Sequence, residues 1–181
     1  MKIGLVRHFR VLKQLPEKRW ISPEELTRWF DEYDTCDIEI GQTDLSSVEW
    51  KRCYSSDLPR AAATAQTIFN GEIIFMKDLR EIHYPLFSKM INQPLPFMLW
   101  AILIRTAWFI NHKCLTENKA DVQSRINAAL DHILKPEFEE DVLIVSHGAL
   151  MMNMRKELIR RGFSGPKFST PENGKLYLFE K

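Results

Sequence analysis

Only three of the 181 residues are cysteine, Cys36, Cys53 and Cys114, and they are widely spaced. No C-x-x-C pair occurs. A disulfide framework or a cysteine zinc site is therefore not expected, and reduced thiols in a cytoplasmic protein are the simplest reading. An excess of charge of one sign is missing too. The 25 Lys and Arg stand against 24 Asp and Glu, a net charge of +1. No overall field then selects nucleic acid or an anionic membrane. The apolar or small residues between Lys2 and Arg7 are too few for a signal-peptide core. No repeat, low-complexity tract or linker divides the chain, and residues 1–181 are expected to form one domain. No acidic cluster suggests a metal, and no cofactor is expected.

What is present is an alternation of two periodicities. "IGLV", "KRCYSSD", "GEIIFM", "DVLIVSHG" and "KLYLFE" read as strands. The run "VLIVS" is continuously apolar, as in a strand buried on both faces. Between them lie helical patterns. "SPEELTRWFDEYD" opens on Ser22 with Pro23 next and Glu25 three residues on, a capping-box signature. "LPRAAATAQTIF" is alanine-rich. "ADVQSRINAALDHIL" carries Val122, Ile126, Ala129, Leu130 and Ile133 at helical spacing. "ALMMNMRKELIRRG" closes on Gly162. Strands alternating with helices predict an α/β protein with a largely parallel sheet.

In such a sheet, ligands bind beyond the carboxyl ends of the strands. His8 follows "IGLV" directly, with Arg7 beside it, and His147 follows "VLIVS". A neutral imidazole is a nucleophile, and the arginine fork suits phosphate. Polar side chains also end strands simply to be solvated, and His147 could cap the next helix. "SSDLPRAAATAQTI" adds a third element, in which Ser56 or Asp57 could cap a helix with Pro59 in its first turn. Arg60 then lies in that turn, where unpaired N–H groups favour an anion but the helix dipole opposes a lone cation. A bound phosphate would resolve that conflict.

Taken in order, "VRH", "SSDLPRAAATAQTI", "LREI" and "VLIVSHG" resemble the histidine phosphatase superfamily, which includes cofactor-dependent phosphoglycerate mutases and fructose-2,6-bisphosphatases. The resemblance implies a three-layer α/β/α sandwich of the phosphoglycerate-mutase type. It also implies metal-independent chemistry through a phosphohistidine. By that resemblance His8 is the nucleophile and Arg7 and Arg60 hold the phosphoryl oxygens. His147 is the second imidazole of the pocket, and Glu81 of "LREI" is the proton donor. Asp57 and Glu72 are other nearby acids without motif support. The arginines should also keep His8 neutral by disfavouring a third positive charge.

The first loop departs from the family pattern. Phe9 stands where glycine is usual and would add an apolar wall. Gln14 stands where an asparagine commonly contacts phosphate. His83, two residues after Glu81, is a further substrate-side candidate.

Residues 82–119 match nothing in the family and read as a variable, apolar, lid-like segment. Within it "FMLWAILIRTAWFI", residues 97–110, is apolar on nearly every helical face. With Arg105 inside, it falls short of the roughly 20 residues that span a bilayer. A cap helix over the substrate is expected, with a membrane-surface contact or a homodimer contact as alternatives. Its apolar residues outnumber its cations, which points to an uncharged or apolar leaving group. Three functions stay open: a phosphomonoester hydrolase on a small phosphorylated metabolite, a phosphoglycerate-mutase-type phosphotransferase, and a non-catalytic phosphate-binding or membrane-associated protein.

Overall fold

The structure is a computed structural model and describes residues 1–17, 19–135 and 140–181. Its centre is a five-stranded sheet in the order β5-β4-β6-β1-β7. The strands are β1 (Lys2–Arg7), β4 (Arg52–Ser56), β5 (Ile73–Met76), β6 (Val142–Ser146) and β7 (Leu176–Glu180). β1, β4, β5 and β6 are mutually parallel, and β7 runs antiparallel along β1. After β1 the chain skips one position to lay down β4 and β5. It returns later to fill the gap with β6. That reversal of strand order is where an α/β sheet opens a crevice.

All five residues of β6 are buried, as its unbroken apolar run requires. One face of the sheet packs Ile3, Leu5, Tyr54, Ile144 and Phe179 against α4 (Lys119–Ile133) and α5 (Gly148–Arg160). The other face packs Val6, Cys53, Leu143 and Val145 against Ala61 and Ala65 of α2 (Pro59–Ile68). Alanine on α2 lets that helix lie close to the sheet. The result is the expected three-layer sandwich with a mostly parallel sheet.

A third cluster stands apart from the sheet. Ile21, Leu26, Phe87 and Trp100 join α1 (Pro23–Thr35) to α3 (Phe97–Phe109). Trp100 donates its Nε1–H to the Ile21 carbonyl at 2.9 Å. α3 is half-covered: Trp100 and Ala107 are buried, whereas Met98, Ile102 and Phe109 face outward. None of the described helices is long and apolar enough to cross a membrane.

Helix starts follow local chemistry. Ser22 and Glu25 form the capping box of α1 with Pro23 in the first turn, as the sequence predicts. Asn118 and Asp121 form a second box on α4, which the pattern of apolar residues did not reveal. α2 contradicts the sequence expectation. Its N-cap is Leu58, with no side-chain cap. Ser56 and Asp57 are committed elsewhere, as described below. A ribbon of two very short strands, β2 (Arg10–Val11) and β3 (Ile38–Glu39), was not foreseen, because two residues carry no periodicity.

The altered first loop has a structural explanation. Phe9 is buried, and its ring lies against Gly174, where an added Cβ would stand 2.8 Å from the ring carbon Cδ1. Gly174 also holds φ at +69°, the left-handed region that glycine alone enters cheaply. Phe9 is thus not a wall of the ligand cleft, as expected from sequence; its ring has a slot made by glycine. Gly174→Ala should combine a backbone penalty of roughly 1–2 kcal/mol with an overpacking cost of about 1–3 kcal/mol. Urea unfolding measures the sum. The loss should shrink when Phe9→Ala accompanies it, and strictly additive losses would show that the two positions are not coupled.

Candidate active site

The parallel register of β1 and β6 pairs Arg7 with Ser146. His8 and His147 therefore leave the sheet side by side. The His8 N–H donates to the Ser146 carbonyl at 3.0 Å. The two imidazole centroids lie 5.1 Å apart, with planes tilted by 54°. β4 ends beside them and delivers Ser56, and α2 begins beside them and delivers Arg60.

The His8 Nδ1–H donates to the Phe9 carbonyl at 2.6 Å, since a carbonyl can only accept. This hydrogen bond assigns the proton to Nδ1 and leaves Nε2 as the unprotonated nitrogen. His147 Nε2 lies 2.8 Å from Ser56 Oγ. Ser56 Oγ accepts from the Leu58 N–H at 3.2 Å, and its own proton has no other acceptor among the described residues, so that proton is assigned to His147 Nε2. The His147 proton then belongs on Nδ1, and that buried atom has no partner among the described residues.

Two more buried donors are in the same state, Nε of Arg7 and Nε of Arg60. Buried donors are rarely left without an acceptor. Three of them stand around His8, an arrangement suited to an anionic ligand. The guanidinium of Arg7 is fixed by a bond from Nη1 to the Pro171 carbonyl at 2.9 Å. A Cβ on Gly148 would come within 3.4 Å of its Nε, so glycine there keeps the start of α5 close to the arginine. Arg60 is 3% exposed. It donates from Nη1 to Asp34 at 2.6 Å and lies over the Tyr33 ring, 5.3 Å from its centroid. Asp34 thus partly answers the conflict between Arg60 and the helix dipole.

Glu81 is brought to the same cleft, where it sits on the start of α5. Its Oε1 accepts from the Ile82 and Leu150 N–H groups, each at 3.0 Å, and its Oε2 from the Ala149 N–H at 3.1 Å. Among the described residues Oε2 accepts that one bond. Three side chains, those of Ser146, Arg125 and Asp57, hold the loop that carries Glu81. Ser146 Oγ donates to the Leu79 carbonyl at 2.8 Å. Arg125 Nη1 donates to the Asp78 and Arg80 carbonyls at 2.7 and 2.9 Å. Arg80 forms a two-bond pair with Asp57, both at 2.6 Å, and its hydrogen bonds hold the Asp57 carboxyl below the usual carboxylate range.

Not every sequence candidate reaches the site. Gln14 is exposed and lines a separate hollow with Arg10 and Glu39; only its backbone carbonyl matters, accepting from Trp29 Nε1–H at 3.0 Å. His83 lines the cleft but is exposed and stands 3.7 Å from Glu117. Thr64 is not foreshadowed by any motif; it donates to the Arg60 carbonyl at 2.7 Å and accepts from the Phe9 N–H at 2.8 Å. One buried hydroxyl so ties α2 to the loop that carries His8. Its only trace in the sequence is a polar residue four positions after Arg60, on a face otherwise built of alanine. Asn173 similarly donates to the His8 carbonyl at 2.7 Å. Among the described residues no cluster of three or more His, Cys, Asp or Glu is gathered to hold a metal ion.

Burial lowers the His8 pKa to about 3, against the raising pull of the Phe9 carbonyl, with Arg60 and Arg7 adding to the lowering. Burial thus outweighs the arginines that the sequence pointed to. His147 moves the same way, well below 6.5, through burial first and then Arg60. An unfolded chain protonates both near pH 6.5, and the folded chain does not. Stability should therefore be full above pH 6.5 and fall as pH drops towards 3, approaching about 1.4 kcal/mol per pH unit for each histidine. Urea midpoints between pH 7 and 5 test this. His8→Asn should flatten the slope, and a wild-type midpoint constant over that interval would contradict neutral buried imidazoles.

The sequence profile of the histidine phosphatase superfamily (branch 1) matches residues 40–180. The chain belongs to this superfamily. The matched span begins after β1, so Arg7 and His8 rest on the geometry above rather than on the profile. Solved structures of the same fold include Bacillus stearothermophilus YhfR, at 22% identity and a TM-score of 0.64, covering 99% of this chain and 90% of that one. The alpha-ribazole phosphatase of Shigella flexneri shares 16% identity with a TM-score of 0.60, covering 98% and 89%. A phosphoglycerate mutase from Bacillus anthracis shares 19% with a TM-score of 0.55, covering 88% and 80%. None of the curated protein sequences matches the chain.

Proposed function

We propose that this histidine phosphatase hydrolyses phosphomonoesters without a metal, through a phosphohistidine at His8. The observation that carries the reading is the pairing of a fixed His8 tautomer with three unpartnered buried donors. His8 Nε2 faces a cleft that Arg7 and Arg60 also line, and its proton is on the far nitrogen, bonded to Phe9. In this reading Nε2 attacks phosphorus as the bond to the leaving oxygen breaks. Arg7, Arg60 and His147 Nδ1–H meet the charge on the three equatorial oxygens. Glu81 gives its proton to the leaving oxygen. The Phe9 carbonyl meets the positive charge that grows on the His8 ring. Water then attacks the phosphorus and gives a proton to Glu81, the N–P bond breaks, and phosphate leaves with His8 neutral again.

Residues 82–119 cover the substrate side, with α3 as the outer wall. Phosphate and alcohol should appear in equal amounts from a monoester in water. Alcohol in excess of phosphate, with the phosphoryl group found on a second alcohol, would identify a transferase instead.

A further inference from the structure

The cleft over His8 has a volume of about 610 Å³, far more than a phosphoryl group fills, so its walls describe the leaving group. Arg60 lies over Tyr33. Tyr33 stacks on Trp29, with centroids 5.4 Å apart and planes at 30°. Trp29 meets Phe97 of α3 edge-on at 5.5 Å, and its Nε1–H is tied to the Gln14 carbonyl. Three rings joined through Trp29 thus lead from Arg60 along α1 to α3. A fixed aromatic wall of this kind favours a flat ring over an alkyl chain, through stacking or edge contacts.

A charge also lines the cleft. Arg105 is the only charged residue of α3, and it lines both this cleft and an adjoining, mostly apolar hollow of about 340 Å³. The other cleft cations beyond the nucleophile are engaged, Arg60 with Asp34 and Arg80 with Asp57. Arg105 has no ion pair or hydrogen bond to any described residue. A lone guanidinium on an otherwise apolar helix suits an anionic group of a ligand. This amends the sequence expectation of an uncharged leaving group.

We infer that the substrate is a phosphomonoester whose leaving group carries a flat aromatic or heteroaromatic ring ending in an anionic group, with the ring along Trp29, Tyr33 and Phe97 and the anion at Arg105. The inference rests on the phosphatase reading for the placement of the phosphoryl group.

Non-hydrolysable phosphonates separate the two readings. Calorimetry would compare butylphosphonate, benzylphosphonate and 4-carboxybenzylphosphonate, while phosphate release from the matching phosphate esters is followed in parallel. The ring should improve affinity about tenfold over butyl, and the carboxylate should add a further gain of roughly three- to tenfold. Trp29→Leu should erase the gain from the ring, and Arg105→Met should erase the gain from the carboxylate. The butylphosphonate affinity of each variant reports whether the phosphate end is still folded. Equal affinities for the three ligands would overturn the inference, as would a carboxylate preference that survives Arg105→Met. Flat affinities with phosphate release intact leave the phosphatase reading standing. The expected ranking in a protein that releases no phosphate keeps the cleft assignment and removes hydrolysis.

Discussion

His8→Ala should abolish the phosphoryl label that a reactive ester leaves on the protein, and slow phosphate release by roughly four orders of magnitude or more. The wild-type label should be acid-labile and stable in base, as a phosphoramidate is. The size of the loss follows from the geometry. The second imidazole, His147, has Nε2 committed to Ser56 Oγ and is fully buried, so it cannot take over the attack. The variant should keep its fold, because the loop is held by main-chain and neighbouring groups: Thr64 to the Phe9 N–H and Asn173 to the His8 carbonyl. Mass spectrometry locates the label. A phosphoryl group that persists in His8→Ala, or that maps to His147 or Ser56, would assign the nucleophile elsewhere.

Replacing Glu81 by Gln should divide substrates by their leaving groups. An alkyl ester expels an oxygen that needs a proton as it departs, and general acid catalysis is worth about 10²–10⁴-fold there. Nitrophenyl phosphate expels a stable anion that scarcely needs one. The alkyl ester should therefore lose most of that factor in Glu81→Gln, and nitrophenyl phosphate should lose little. The backbone contacts make this contrast decisive. An amide can accept from Ile82 and Leu150 through its oxygen, but it turns an NH₂ towards the Ala149 N–H that Glu81 Oε2 accepts. That mismatch costs about 1–3 kcal/mol in a buried setting, and it is the same for every substrate. A uniform loss on both esters would make Glu81 a cap for α5, and would send the search for the acid elsewhere.

Most of the sheet and both histidines could be read before any coordinates, because periodicity and strand-end position are local signals. "VLIVS" could hardly be anything but a central strand, and parallel pairing of two such strands sets their following residues side by side. The failures have a common cause. Ser56 and Asp57 looked like helix caps because the sequence shows which bonds a residue can make nearby, not the partners that the fold offers at a distance. Ser56 lies 91 residues from His147, and Asp57 lies 23 from Arg80. Phe9 looks like a cleft wall for the same reason, since its slot is made by Gly174, 165 residues further along the chain. Gln14 is located only by its count from His8, and the exposed loop that carries it beyond β2 has no periodic signal. Thr64 and Asp34 stayed hidden because a single buried hydroxyl or carboxylate on a helix has no periodic signature.

The order in which the chain is made has a bearing on Asn173 and Gly174. The proposed phosphate contacts all lie at or before residue 147, yet the loop bearing His8 is clamped from residue 173, and Gly174 donates its N–H to the Arg7 carbonyl at 2.8 Å. β7 then closes over β1 along its whole length. A nascent chain therefore holds the full chemical inventory well before it holds the geometry. Contacts of such long sequence separation form late, after their loop-closure entropy has been met. The geometry around His8 thus depends on contacts made from residues 173–180, at the opposite end of the sequence from the loop they hold.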